Sequence, residues 1–342
     1  MTELVDKENR LFDEFKDKHK GKKIVVIYGN CHTTAIRKSL EQYEPFLEKY
    51  ALYPIKAIQE VKNPVYFHQD CFHECDVFIH QSIRLNNRYG PEYASKEIMN
   101  GLKADCHVIS IPNVYHLPMC FFPQYAELPE WRHLRGGTIF FRDSILDEVY
   151  KSGGSIQEAI DRYKNEDYYP TDMIGKLFEE FLAKVEKRER DWDINVSNFI
   201  RENSSKVRLF YDPNHPTEYF INYIVVELLK MLNVEFDVNK FKQIKPLKLY
   251  AYEMPIHASV KKYFQFNFEF KNIRCDKKGF YDNLSIYEYV RKYWMYEWQD
   301  DELNRYEKLR SYYLYWEGKP REMFSKYKNL ITRAYNKITH SL

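Results

Sequence analysis

No uninterrupted apolar stretch of about 18 residues occurs in the 342-residue chain, so the sequence lacks the signature of a membrane-spanning helix. Its opening, MTELVDKENRLFDEFKDKHKGKK, mixes acids and bases with isolated apolar side chains. It lacks the apolar run of a secretory signal, and a soluble, cytoplasmic protein is expected. Cysteine is sparse: Cys31, Cys71, Cys75, Cys106, Cys120 and Cys275 are too few and too scattered to staple a chain this long. Free thiols in a reducing compartment are therefore expected. Four potential metal ligands, His68, Cys71, His73 and Cys75, crowd together, but no second ligand pair accompanies them, so no metal is expected. Internal repeats and low-complexity segments are absent.

The chain does carry a pronounced asymmetry of charge. Residues 1–235 hold 31 basic and 37 acidic side chains, whereas residues 236–342 hold 21 basic and 13 acidic ones, a contrast of −6 with +8. The second segment also contains 14 of the 30 tyrosines and Trp294, Trp298 and Trp316. A domain over 1–235 and a basic, tyrosine-rich subdomain over 236–342, mixed α+β or helical, are expected. The basic tail interleaves acids, as in Asp300-Asp301-Glu302, and shows no RNA-binding signature, so nucleic acid is not an expected partner. Sugar stacking, contact with an anionic membrane surface and simple packing of a second subdomain all remain compatible with it.

Lys23 to Tyr28 is short, β-branched and closed by Gly29-Asn30, which predicts a buried strand ending in a tight turn. A helix follows, capped by Thr33 or Thr34, with Ile36, Leu40 and Tyr43 on one face. Further strands are predicted over Ala51–Ile55, Val77–His80, His107–Ile111 and Val207–Tyr211, with helices between several of them, including Tyr93–Leu102. Thr171 is a predicted cap for a helix whose apolar stripe is Met173, Ile174, Leu177, Phe178, Phe181, Leu182 and Val185. Thr217 is expected to cap another through Phe220, Tyr223, Ile224, Val226, Leu228 and Leu229. Such alternation predicts an α/β fold with a mainly parallel sheet flanked by helices.

Two polar clusters fall just beyond predicted strands, where ligands of open α/β sheets gather. In Gly29-Asn30-Cys31-His32-Thr33, glycine permits the turn and the helix start offers free N–H groups to an anion or oxyanion. Asn30 reads as an oxyanion donor or as a turn residue; Cys31 as a nucleophile or as a small packed thiol. In Asp212-Pro213-Asn214-His215, the carboxylate is spaced to orient the imidazole as a general base, or simply to close a turn. Gln81 and Arg84, after a strand, are either pocket residues or polar loop residues.

Strand-Gly29-Asn30-Cys31, Ile111-Pro112-Asn113-x-Tyr115 with Pro123 after it, and strand-x-x-Asn214-His215-Pro216-Thr217 together resemble the WcbI-like polysaccharide-biosynthesis family over roughly residues 22–235. Where that family usually continues with glutamine this chain has His32, and after Tyr115 it reads His-Leu-Pro-Met-Cys. The resemblance implies an SGNH-hydrolase-like, Rossmann-like three-layer domain. It further implies an acyltransferase that uses coenzyme A or acetyl-coenzyme A as co-substrate and a sugar or polysaccharide precursor as acceptor, in capsule or other surface-polysaccharide assembly, with peripheral contact to membrane-associated machinery. Catalytic roles then fall to His215, Asp212, Cys31 and Asn30, and the coenzyme A site to Gly29, Asn30, Cys31, His32, Thr33, Gln81, Arg84 and Asn113. Direct transfer, with His215 as base and Cys31 only shaping the pocket, is the preferred expectation; a covalent acyl-Cys31 is the variant. An SGNH-type carbohydrate esterase and a non-catalytic assembly component are the alternatives.

Overall fold

A computed structural model describes residues 2–60, 70–87, 89–114, 119–126, 142–249, 253–268, 273–275 and 281–290. The chain divides into two compact units: residues 1–120, 172–250 and 262–269 in the first, and 121–171, 251–261 and 270–342 in the second. His68, Tyr115 and the tail tryptophans lie outside the described residues.

Helix α1 (Thr2–Lys18) leads into β1 (Lys23–Tyr28), α2 (Cys31–Leu40), α3 (Glu44–Lys49), β2 (Tyr50–Tyr53), α4 (Asp70–Glu74), β3 (Val77–Gln81), α5 (Ser95–Met99) and β4 (His107–Ile111). The four strands form one parallel sheet in the order β2-β1-β3-β4. The β1 run is apolar after Lys23 and β3 is buried at every position because both faces are covered. On one face Val26, Tyr28 and Phe78 pack with Phe12 of α1, Phe72 of α4 and Ile98 of α5. Val25, Ile27 and Ile79, of opposite parity, are buried on the other, where α2 lies against β1. The α/β fold with helices flanking a parallel sheet is thus realised.

At the amino ends of the strands Asp76 acts as a clamp. Its Oδ2 accepts from Ile24 N–H at 2.6 Å, its Oδ1 meets Lys103 Nζ at 2.6 Å, and its carbonyl accepts from His107 N–H at 2.9 Å.

The chain then enters the second unit with β5 (Tyr125–Ala126) and β6 (Arg142–Asp143), paired antiparallel, followed by α6 (Ser144–Lys151) and α7 (Ile156–Lys164). Asp143 caps α6 through Ile145 N–H and Leu146 N–H, and the hydroxyls of Tyr163 and Tyr289 donate to its other oxygen. Burial, opposed by these donors, pushes its carboxyl up to about 7.

Back in the first unit come α8 (Thr171–Glu189), α9 (Ser197–Asn203), β7 (Phe210–Asp212), β8 (His215–Pro216) and α10 (Glu218–Met231), the last packed on α2. Past α8 the chain lies along β4, where Asp193 N–H donates to Ser110 O at 2.9 Å and Ser110 N–H to Asp193 Oδ2 at 2.7 Å.

Several local expectations are corrected. Strand β2 is Tyr50–Tyr53 rather than Ala51–Ile55, and Met173 is exposed, outside the α8 stripe. The strand predicted over Val207–Tyr211 is Phe210–Asp212 and pairs antiparallel with β8 rather than joining the parallel sheet, because the chain reverses at once through the Asp212 turn. Among the described residues no helix is long and apolar enough to cross a membrane.

Candidate active site

From β1 the chain crosses to β2 on one side and then back to β3 on the other, so the connections diverge between β1 and β3. In open α/β sheets such a switch point is where ligands bind, beyond the carboxyl ends of the strands, and Gly29-Asn30 and Gln81 are the residues that end them. Asn30 N–H donates to Gln81 Oε1 at 2.9 Å, and Gln81 Nε2 donates to Pro112 O at 3.3 Å just past β4. One fully buried amide therefore ties together the ends of three strands. Gly29 is needed for close approach: a Cβ there would lie 2.5 Å from Gln81 Oε1 and 2.6 Å from Thr33 Cγ2.

Asn30, not Thr33 or Thr34, caps α2; its Oδ1 accepts from His32 N–H at 2.9 Å. An asparagine in extended conformation at the strand end outcompetes the threonines, which already lie inside the first turn. Thr33 Oγ1 instead donates to Asn30 O at 2.7 Å. Asn30 Nδ2 donates to Asn113 Oδ1 at 3.2 Å, which brings both asparagines together at the strand ends. Cys31, half-buried, is the first residue of α2, at the positive end of the helix dipole.

The second cluster meets the first. Asp212 Oδ1 accepts from Asn214 N–H at 2.7 Å and His215 N–H at 3.0 Å, folding the turn back on itself. Its Oδ2 accepts from His215 Nδ1 at 2.8 Å. This leaves Nε2 for chemistry, and the Cys31 side chain is within hydrogen-bonding reach of the same ring. Burial disfavours the charged imidazole, but the Asp212 carboxylate and Cys31 outweigh it and raise His215 to about 10. Thiol, imidazole and carboxylate are thus brought together, an arrangement that can serve as nucleophile, base and orienting group.

The remaining members of the predicted set divide. His32 is buried, and its Nε2–H donates to the Asn214 carbonyl at 2.9 Å. Burial first, then the neighbouring His215 charge, push it down to about 4, so it is neutral. Arg84 is not drawn into the cluster: it is exposed after β3, where its carbonyl accepts from Asn87 Nδ2. Asn214 joins the site through its backbone carbonyl, a contact to which residue type is blind. Among the described residues no three His, Cys, Asp or Glu side chains gather to hold a metal, and His73 Nδ1 is engaged with Gly101 O at 2.8 Å.

The model of the family described as "Polysaccharide biosynthesis enzyme WcbI" matches residues 24–237, which include all of the residues just described. A solved structure of WcbI, described as a novel polysaccharide biosynthesis enzyme in its native form without a disulfide bond between coenzyme A and one of its cysteines, shares the fold. Its TM-score is 0.66 at 17% identity, over 80% of this chain and 89% of that one. No curated protein matches the sequence.

Proposed function

The chain belongs to the WcbI family of polysaccharide biosynthesis enzymes, and on that premise we propose that it transfers an acyl group from acyl-coenzyme A to a sugar hydroxyl of a polysaccharide precursor. The single observation that carries this reading is the meeting of Cys31, His215 and Asp212 at the switch point. That the solved WcbI is described by a bond, absent there, between coenzyme A and a cysteine supports giving Cys31 the place nearest the coenzyme A thiol.

Acyl-coenzyme A would supply the acyl group as a thioester. Within the protein, a protonated His215 cannot take the proton of a sugar hydroxyl but can serve as the acid for a leaving thiolate, and this favours the covalent relay, with Cys31 as nucleophile, over direct transfer. In the first half-reaction Cys31 Sγ bonds to the acyl carbon, the carbon–sulfur bond to coenzyme A breaks, and the His215 proton goes to the departing thiolate. In the second, the now neutral His215 takes the proton of the sugar hydroxyl as its oxygen attacks the acyl-Cys31 carbon, and Cys31 leaves as thiolate. Asp212 holds the ring in the tautomer that presents Nε2 throughout. Asn30 Nδ2, through the hydrogen it does not give to Asn113, and the Cys31 N–H at the start of α2 are the candidate donors to the oxyanion formed in each half. Gly29, Thr33, Gln81 and Asn113 shape this end of the site rather than carry protons.

Calorimetric titration with coenzyme A and with acetyl-coenzyme A tests the reading without knowledge of the sugar. Saturable binding at one site per chain is expected. Absence of binding by both ligands overturns it, and hydrolysis of simple acyl esters without coenzyme A would point to an esterase instead.

A further inference from the structure

His32 is a polar side chain almost wholly inside the protein, 2% exposed, between the start of α2 and the turn that carries His215. Its ring donates to a backbone carbonyl, that of Asn214, at 2.9 Å. The Asn214 side chain offers the turn no equivalent hold through its Oδ1, which is buried and has no hydrogen-bond partner among the described residues. Asp212 shapes the turn from within, accepting from Asn214 N–H and His215 N–H, but this does not attach the turn to α2. The turn and α2 are 182 residues apart in sequence across the His32–Asn214 bond, and Cys31 and His215 sit immediately beside its two ends.

We propose that His32 is a positioning residue that bolts the His215 turn to the first turn of α2 and thereby sets the Cys31–His215 encounter. The donor must be uncharged to do this. A lysine or arginine here would place a second cation against the His215 imidazolium and weaken it, whereas a neutral ring carries one N–H, directed at one carbonyl, with no net charge. Burial keeps His32 in that neutral form, and the Asn214 carbonyl selects the tautomer with hydrogen on Nε2. His32 therefore does not touch the substrate. Its bearing on catalysis comes only through the relay proposed above.

The test uses the full chain with ring-13C histidine, the His215 signal being assigned by its loss in His215→Gln among the 11 histidines. Two near-isosteric variants are compared: His32→Gln, whose amide can still donate to the carbonyl, and His32→Met, which fills the space but cannot donate. In the wild type the His215 ring is expected to titrate near 10. His32→Gln should retain that midpoint, and His32→Met should lower it by the share that Cys31 contributes, the Asp212 contact inside the turn being kept, while the far-ultraviolet dichroism stays unchanged. A His32→Met protein that still titrates near 10, or a His32→Gln protein that falls with it, overturns the proposal. Because the readout is a proton on His215, it is independent of the coenzyme A titration. A protein that binds no coenzyme A but shows the expected pattern would retain the bolt and lose the acyltransferase.

Discussion

The backbone N–H of Asn30 donates to the side-chain oxygen of Gln81 at 2.9 Å, joining the end of β1 to the end of β3 at the point where the chain's crossovers diverge. The strand ends at which the chemistry is placed are therefore joined by a buried amide and not by apolar packing alone.

Gly29→Ala drives a methyl group into that amide and into Thr33. Because Gln81 is fully buried and engaged at both ends of its amide, it cannot swing aside without losing a hydrogen bond. The expected cost is about 1–3 kcal/mol, of the size found for overpacking, read as a lower denaturant midpoint at unchanged slope, together with weaker coenzyme A binding. Full stability and full affinity in the variant would contradict the role given to this contact.

Asp76→Ala removes the acceptor of Ile24 N–H at the opposite ends of the same strands. An unmet partly buried amide costs about 1–3 kcal/mol, so a comparable fall in the denaturation midpoint is expected. Coenzyme A affinity, read by calorimetry, should not change, since this clamp lies away from Cys31 and His215.

The contributions of His215 and His32 to stability should together be greatest near pH 6.5 and fall on both sides. His215 is raised in the folded protein to about 10, so its contribution is full below about 6.5 and is lost as pH climbs through 10. His32 is lowered to about 4, so its contribution is present above about 6.5 and is lost as pH falls through 4. Chemical denaturation between pH 4 and about 10.5 checks both limbs. Asp212→Asn should flatten the alkaline limb; an alkaline fall that survives it would have to come from another group.

Cys31→Ala should abolish transfer, by roughly a thousandfold or more if the residue acts as a unit with its triad partners. Wild-type protein incubated with acetyl-coenzyme A alone should gain the mass of one acetyl group, on the peptide that contains Cys31. Transfer retained in Cys31→Ala would return the mechanism to direct attack by the sugar hydroxyl.

Much of this architecture was readable because the relevant signals are local. Lys23–Tyr28 announces itself as a strand covered on both faces, and Gly29-Asn30 marks its end. Asp212 and His215 meet because three residues of tight turn bring carboxylate and ring together. What escaped depended on distant partners. Val207–Tyr211 is apolar enough to suggest a sheet strand, yet Asp212 claims two N–H groups of the next residues and reverses the chain before it can join the parallel sheet. His32 reads as a ligand-facing side chain beside a nucleophile, and only the return of the chain at Asn214 converts it into a buried donor. The capping choice among Asn30, Thr33 and Thr34 turned on where the strand stopped, which spacing leaves uncertain by a few residues.

A parallel sheet of four strands ends in two open flanks, and an open flank invites another molecule's strand. At β4 the invitation is partly withdrawn: Ser110 has spent both its N–H and its carbonyl on Asp193 of the same chain. A strand arriving there would find its row of bonds interrupted in the middle and would have to displace a carboxylate to complete it. The short Ser110–Asp193 clasp thus occupies, at this edge of the sheet, backbone groups that an added strand would need.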